Sequence, residues 1–485
     1  MSATKNKSMM SYLHWVIGVA IMLSGYVIPA SEPLTPMGVK VLMVFVGMIY
    51  LWCMADSIGG SLLALFMVSM VGYAPFSTVL STAISNSDWL TVFYACILMM
   101  SAIESGMPKY VSHAIFKSTA GIVTGRPMIL VFILMCAAFV VCTLTNIIPT
   151  ILMFWAICYA IIDDLKLEKA DRYSMLLVFG SFFGAMLGNA LLPFKGASII
   201  IISAFESASG LSLPYGPYVI INLLCSLIIM AVFCLAAKYV FRIDLSKVKD
   251  IDGRLLARET LPPMSLSVKT HLIAIAIFIT LVLLSSMLPE ELAITVFLDN
   301  LGTHGIAALL VILLFVVRDN GKPCIELGKT MKAMPWSALF MVMAAVYLAS
   351  AIKNKDVTGI IPWLKTVLNP ILGGHSEFIF AALIFILAMV LTCFFHNGAL
   401  GNMMMPVLVA IAGANSYNSV AIAAILTMTI NVAFLAPSAS NWAPLLHGNK
   451  DYISFKDIWT YGLFFEILAF VVFMFLGFPL AKLMM

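Results

Sequence analysis

The chain has 485 residues, of which 62% are hydrophobic and only 10% charged, where a soluble domain of this size carries about a quarter. That balance excludes a soluble globular protein, and continuously apolar rather than alternating segments exclude a membrane β-barrel. The net charge of +4 rests on loop residues, so it does not mark a nucleic-acid partner.

In chain order, Lys5 and Lys7 precede an apolar run at 12–30, which is too long for a signal-peptide core and reads as the first span. Spans follow at 37–55, 59–74 and 89–106. A hairpin-like pair covers 127–163 and is interrupted at 145–149. The span at 174–208 is interrupted at 193–196, and 217–241 closes an N-terminal half, 1–241. A polar linker, 242–269, holds most of a basic cluster formed by Lys238, Arg242, Lys247, Lys249, Arg254, Arg258 and Lys269. The C-terminal half, 270–485, runs through 270–289, 303–318 and 336–353. It continues with a pair at 376–413 broken at 396–398, a span at 418–447 broken at 437–441, and a last span at 459–483. The expected fold is therefore an all-α membrane protein of about 11 transmembrane helices. The positive-inside rule puts the N-terminus and the linker in the cytoplasm, giving a multi-pass protein of the cell (inner) membrane. The nine cysteines are scattered through apolar segments without metal-ligand spacing and read as small buried hydrophobes.

The interruptions recur. Trp89 and Trp336 open corresponding spans, Asn146 and Asn397 mark the two hairpin breaks, and Pro193 and Pro437 break the two later spans. The offsets are about 247, 251 and 244 residues, which is an internal repeat. An even number of crossings before the linker, with an odd number in each unit, makes the two units inverted. Each unit then carries a re-entrant hairpin and a broken helix, the arrangement that marks a secondary transporter's binding site.

Broken helices expose backbone at membrane depth, where helix N-termini attract anions and free carbonyls can hold a cation. The candidate substrate-binding residues at the four breaks are Thr145 and Asn146; Lys195, Gly196 and Ser198; His396, Asn397 and Gly398; and Ser438, Ser440 and Asn441.

From about residue 37 onward the chain resembles the divalent anion/sodium symporters, the di- and tricarboxylate transporters of the ion transporter superfamily. Trp52-Cys-Met-Ala-Asp-Ser-Ile-Gly-Gly-Ser-Leu-Leu-Ala-Leu is similar to that family's Trp-x-Thr-Glu-x-Ile-Pro segment. Ala102-Ile-Glu-Ser-Gly-Met resembles its Ala-Leu-Glu-x-Ser-Gly, and Asp451-Tyr-Ile-Ser-Phe-Lys-Asp its Gly-Tyr-Ile-Ser-Phe-x-Asp before the last span. The resemblance implies a Ser-Asn-Thr motif at each hairpin tip, contacting substrate carboxylates and helping to form two sodium sites. The matching positions are Thr145-Asn146-Ile147 and His396-Asn397-Gly398: both asparagines remain, both threonines are absent, and the second serine has become His396. The family's unwound Thr-Pro-Pro-Asn segment corresponds to Lys195-Gly196-Ala197-Ser198 and to Ser440-Asn441-Trp442-Ala443.

These departures remove hard oxygen ligands from both sodium sites, leaving residual sodium binding only near Thr145, Asn146 and Asn397. Lys195, and His396 when protonated, supply positive charge where the family brings sodium, and an ionisable residue inside a membrane is functional by default. The expectation is a secondary transporter of small organic anions (malate, succinate, tartrate or citrate) working by an elevator-type mechanism. It would exchange anions or couple to protons, with reduced sodium dependence and no cofactor. Spans 12–30, 217–241 and 270–289 are expected to form a scaffold, and the resemblance implies a homodimer. The lipid bilayer and the anion are the expected partners.

Glu104 reads as structural or interfacial, Asp163 and Asp164 as a solvated helix end, and His447 as a span end. Glu206 and Glu466 read as packing residues, or alternatively as proton sites. The other functional readings are a sodium-coupled or inorganic-anion carrier, a cation/proton antiporter, or a membrane-embedded enzyme such as a polyprenyl-phosphate transferase. The antiporter lacks paired acids at the breaks, and the transferase lacks a carboxylate cluster beyond Asp163-Asp164. No phosphate-binding loop, nucleophile elbow or dinucleotide fingerprint is present, and the chain is expected not to be an enzyme.

Overall fold

The structure, a computed structural model, describes residues 2–249, 261–288, 292–372, 374–393, 395–437 and 439–485. The first half comprises α1 (Ser2–Ser24), α2 (Pro36–Met54), α3 (Ser57–Met70), α4 (Phe76–Ile84), α5 (Ser87–Glu104), α6 (Met107–Val123), α7 (Pro127–Leu144), α8 (Ile147–Asp164), α9 (Arg172–Ala190), α10 (Gly196–Ser209) and α11 (Tyr215–Tyr239). The second half comprises α12 (Leu266–Met287), α13 (Ala293–Val316), α14 (Leu327–Ala333), α15 (Trp336–Lys353), α16 (Ile360–Leu372), α17 (Glu377–Thr392), α18 (Asn397–Asn415), α19 (Ser419–Asn431), α20 (Ala443–Gly448) and the last span, α21 (Phe455–Met484). Among the described residues the only sheet is the two-residue ribbon of Arg318–Asp319 with Lys322–Pro323, after α13. Of the expected linker, 250–260 lies outside the described residues. Just before it, Lys247 pairs with Asp171 at the start of α9 (3.0 Å).

The repeat is visible element by element. α5 matches α15, the α7–α8 hairpin matches α17–α18, and the α9–α10 broken helix matches α19–α20, each about 250 residues on. α6 and α16, one before each hairpin, match as well. The sequence reading missed both, because their polar positions break any 18-residue apolar run.

The inversion has a direct structural witness. α21 is 30 residues long and so spans about 45 Å. Just before it, Asp451 pairs with Lys169 at the base of the first hairpin (2.9 Å). Near its end, Lys482 pairs with Glu377 at the base of the second. The two hairpins therefore enter the bundle from opposite ends, and their tips meet in the middle. Neither surface pair contributes much stability, but each fixes position.

Close packing of α7 on α9 sets the first hairpin's place. Gly180, Gly184 and Gly188 form one small-residue stripe on α9. A Cβ on Gly184 would lie 2.2 Å from the Met135 carbonyl oxygen, and one on Gly188 2.2 Å from that of Phe139. Such stripes let helix backbones approach in a membrane, where no hydrophobic drive separates helix from lipid. Gly184→Ala is expected to destabilise the bundle by on the order of 1–3 kcal/mol through overpacking. Gly121→Ala, at a helical glycine with open space around it, is the control. An equal melting temperature for the two variants in detergent would contradict this packing.

α10 is nearly encased, packed between α15, α18 and α19, with Gly401 of α18 seated on Ile201. α11 packs on α7, α9 and α21 as well as on α12. That packing sets it between the first hairpin and the 270–289 span, which was expected with it in the scaffold. The apolar face of α11 is compatible with either neighbour, so periodicity could not choose between them.

Candidate anion site at the meeting of the two hairpins

At the first tip the chain leaves α7 at Leu144 and restarts as α8 at Ile147. Asn146 is extended, and its side-chain oxygen accepts from the Ile148 N–H (3.3 Å), capping α8. The Thr145 hydroxyl donates to the Val141 carbonyl (2.7 Å) and meets the Thr150 hydroxyl (2.9 Å), so it is occupied within the tip.

In the first broken helix, Tyr218 (2.9 Å) and Asn222 (2.7 Å) on α11 both donate to the Ala190 carbonyl and hold open the end of α9. Lys195 sits at the N-cap of α10, only 8% exposed, and turns back towards the hairpin. Its ammonium donates to the carbonyls of Cys142 and Thr143, the latter at 3.3 Å. A cation at the C-terminus of α7 is where the helix dipole favours one. Gly196 has φ +58, and a Cβ there would lie 2.9 Å from the Asn189 amide nitrogen, so glycine is required.

At the second tip, His396 caps α18. Its Nδ1 shares the Gly398 N–H (3.3 Å) with the Asn397 side-chain oxygen (3.0 Å), and its Nε2 meets the Asn441 side-chain oxygen (2.9 Å). In the second break, the Ser440 hydroxyl donates to the Ala433 carbonyl (2.7 Å) and accepts from the Ala443 N–H (3.2 Å).

These four breaks surround one cavity of about 360 Å³. Thr145, Asn146, Lys195, Gly196, His396, Asn397 and Asn441 line it. Ser198, Gly398 and Ser440 do not. Ser198 accepts from Asn431 (3.2 Å) and ties α10 to α19, Gly398 packs towards Ile200, and Ser440 shapes its own break. Ser438 lies outside the described residues.

Sequence reasoning missed Asn189 and Trp442, and both line the cavity. Asn189 was findable as a lone amide in an otherwise apolar span. Trp442 gave no signal, because a tryptophan beside a break reads as packing. The Trp442 indole N–H and the Asn397 amide nitrogen are buried and have no partner among the described residues. Two unpaired donors in one cavity favour an anionic ligand, since an unmet buried donor costs about 1–3 kcal/mol. The N-termini of α8, α10 and α18 also converge here, each carrying roughly +0.5 of an elementary charge. Across the cavity the wall is mostly apolar, formed by Val92, Ala95, Met99 and Met100 of α5 and Ala338 and Met341 of α15, with the hydroxyl residues Ser57 of α3 and Ser337 of α15 among them.

Paired re-entrant hairpins and paired broken helices around a mid-bundle cavity define a secondary transporter. The family model described as "Sodium:sulfate symporter transmembrane region" matches residues 9–485, and the chain belongs to that family. Among solved structures it is similar to the YdaH transporter of Alcanivorax borkumensis, whose crystal structure is described as having an unusual topology. The TM-score is 0.59 at 14% identity, covering 83% of this chain and 87% of that one, a likeness of fold. No curated protein matches the chain.

Proposed function

We propose that the protein is a sodium-independent transporter of small organic anions, coupled to a second anion or to protons. The observation that carries this reading is the Lys195 ammonium seated on the carbonyls that end α7. A sodium ion at this tip would need those oxygens, and they are already taken by a covalently attached cation. The remaining oxygen donors named for sodium are weak candidates: the Thr145 hydroxyl is used within the tip, and Asn397 presents a free donor nitrogen.

Charge supports an anion, which we take to be of the di- or tricarboxylate class: the Lys195 ammonium and the N-termini of α8, α10 and α18 outweigh the C-termini of α7, α9, α17 and α19 that end at the same breaks. The mostly apolar wall of α5 and α15 favours an organic body over sulfate, which offers nothing to bury there. In the same reading the two hairpins, the broken helices, α11 and α21 move as one body against α2, α3, α5, α13 and α15, an elevator-type exchange of access. Pairing through that scaffold would make a homodimer. Units 1–241 and 270–485 are the two repeats, with the N-terminus and the 242–269 linker at the cytoplasmic face of the inner membrane.

Counterflow in proteoliposomes preloaded with unlabelled anions tests this. Labelled C4 and C6 carboxylates are expected to exchange at least tenfold faster than sulfate. Sulfate exchange with carboxylates excluded would overturn the substrate class. A pH-dependent sodium flux without any anion flux would establish a cation/proton antiporter instead.

A further inference from the structure

Among the described residues, only two Asp, Glu, Lys or Arg side chains are buried: Lys195 and Glu466. The Lys195 ammonium has its partners, and one carboxyl oxygen of Glu466 has none. Glu466 is 4% exposed, and its Oε2 is buried without a hydrogen-bond partner. Glu466 lies about 17 Å along α21, near the middle of the span. Two π-helical turns, Ile458–Gly462 and Phe473–Gly477, flank it, and widened turns of this kind cluster at functional positions in helices.

The elements packed on α21 around Glu466 are these. α17 brings Cys393, the residue that closes it before the second tip, within coulombic range of Glu466. α11 brings Phe233, which packs on Phe465, and Cys225, which packs near Gly477. α9 contributes Phe183, stacked on Phe465 at 3.8 Å, and the second break contributes Phe434. The imidazole of His447 is held by the Phe434 carbonyl (3.1 Å), and the ends of α17 and α21 pair with each other through Glu377 and Lys482. Among the described residues of these elements, no cation faces Glu466. A carboxylate with one oxygen buried and unpaired at this depth would cost far more than a neutral acid, which favours the protonated form.

We infer that Glu466 is a proton-binding site behind the second hairpin tip, loaded in this conformation and able to release its proton only when α17 shifts against α21 within the hairpin body. Protonation joins one proton from water to one carboxylate oxygen, and release returns it to water on the other side. With Lys195 as a fixed charge, Glu466 becomes the exchangeable cation site of the second repeat. The inference rests on the transport reading only for its coupling, because its protonation is measurable without any substrate.

Infrared difference spectroscopy of the purified protein at neutral pH is the test. The wild type should show a protonated carboxyl band that Glu466→Gln removes at unchanged melting temperature. Glu466→Asp should retain a shifted band. In proteoliposomes, anion flux by the wild type should fall at least tenfold as pH rises through the Glu466 titration, whereas Glu466→Gln should be flat. A band unchanged in Glu466→Gln overturns the site, even if no tested anion is carried. Overlapping pH profiles for the two proteins overturn its coupling.

Discussion

In proteoliposomes, Lys195→Ala is expected to lose anion exchange by at least 100-fold without sodium. Two effects add. The substitution removes the one fixed charge at the cavity, and it leaves the Cys142 and Thr143 carbonyls at the end of α7 without their donor. Each unmet buried carbonyl costs about 1–3 kcal/mol, enough to displace the first tip. Lys195→Arg is not expected to restore exchange, because a planar guanidinium cannot occupy the place of a compact ammonium in an 8%-exposed pocket. Sodium is expected to rescue part of the loss in Lys195→Ala, since the freed carbonyls become open to it. Full exchange by Lys195→Ala in sodium-free buffer would remove the residue from the mechanism.

The second large effect is expected at the two unpaired donors. Asn397→Ala should weaken anion binding on the order of 10–100-fold, the equivalent of about 1–3 kcal/mol for one buried hydrogen bond to a charged group. Trp442→Phe, which keeps the ring and deletes only the N–H, should weaken it by a similar factor. Trp442→Phe removes an N–H with no partner among the described residues and should leave the folded state as stable as before, whereas Asn397→Ala also removes the side-chain oxygen that accepts from the Gly398 N–H (3.0 Å) and should lower the melting temperature as well. Isothermal titration with the best carboxylate, alongside thermal melting, separates the two quantities. Unaltered affinity in both variants would mean that these donors do not face the ligand.

Much of the fold was legible because its signals are local. Apolar length marks spans, and Pro193, Asn146 and Asn397 mark where helices stop. The equal spacing of those stops shows the repeat without any knowledge of contacts. The amphipathic α6 and α16 escaped because composition alone cannot tell a surface helix from a loop. The stripe Gly180-Gly184-Gly188 was readable at its four-residue spacing, but the breaks nearby are far more conspicuous.

The candidate site was legible only in outline. Lys195 stood out because a lysine between two apolar half-spans is too costly to bury without a use. Its partners could not be foreseen, because Cys142 and Thr143 contribute backbone oxygens that carry no sequence signature. His396 illustrates the reverse problem. Residue type suggested a charge, but nothing in the sequence showed that the ring would meet the Gly398 N–H on one side and the Asn441 side-chain oxygen on the other. Ser198 and Ser440 matched the resemblance in position, yet their hydroxyls serve neighbouring helices and backbone rather than the cavity.

The central claim is that the ammonium of Lys195 stands where a coupling sodium would sit. Uptake of radioactive sodium during anion counterflow tests it most directly. The expected result is carboxylate exchange at the same rate in sodium and in potassium, with no sodium entering above the leak of empty vesicles. Sodium uptake in fixed proportion to the anion, with exchange stopping in potassium, would contradict it.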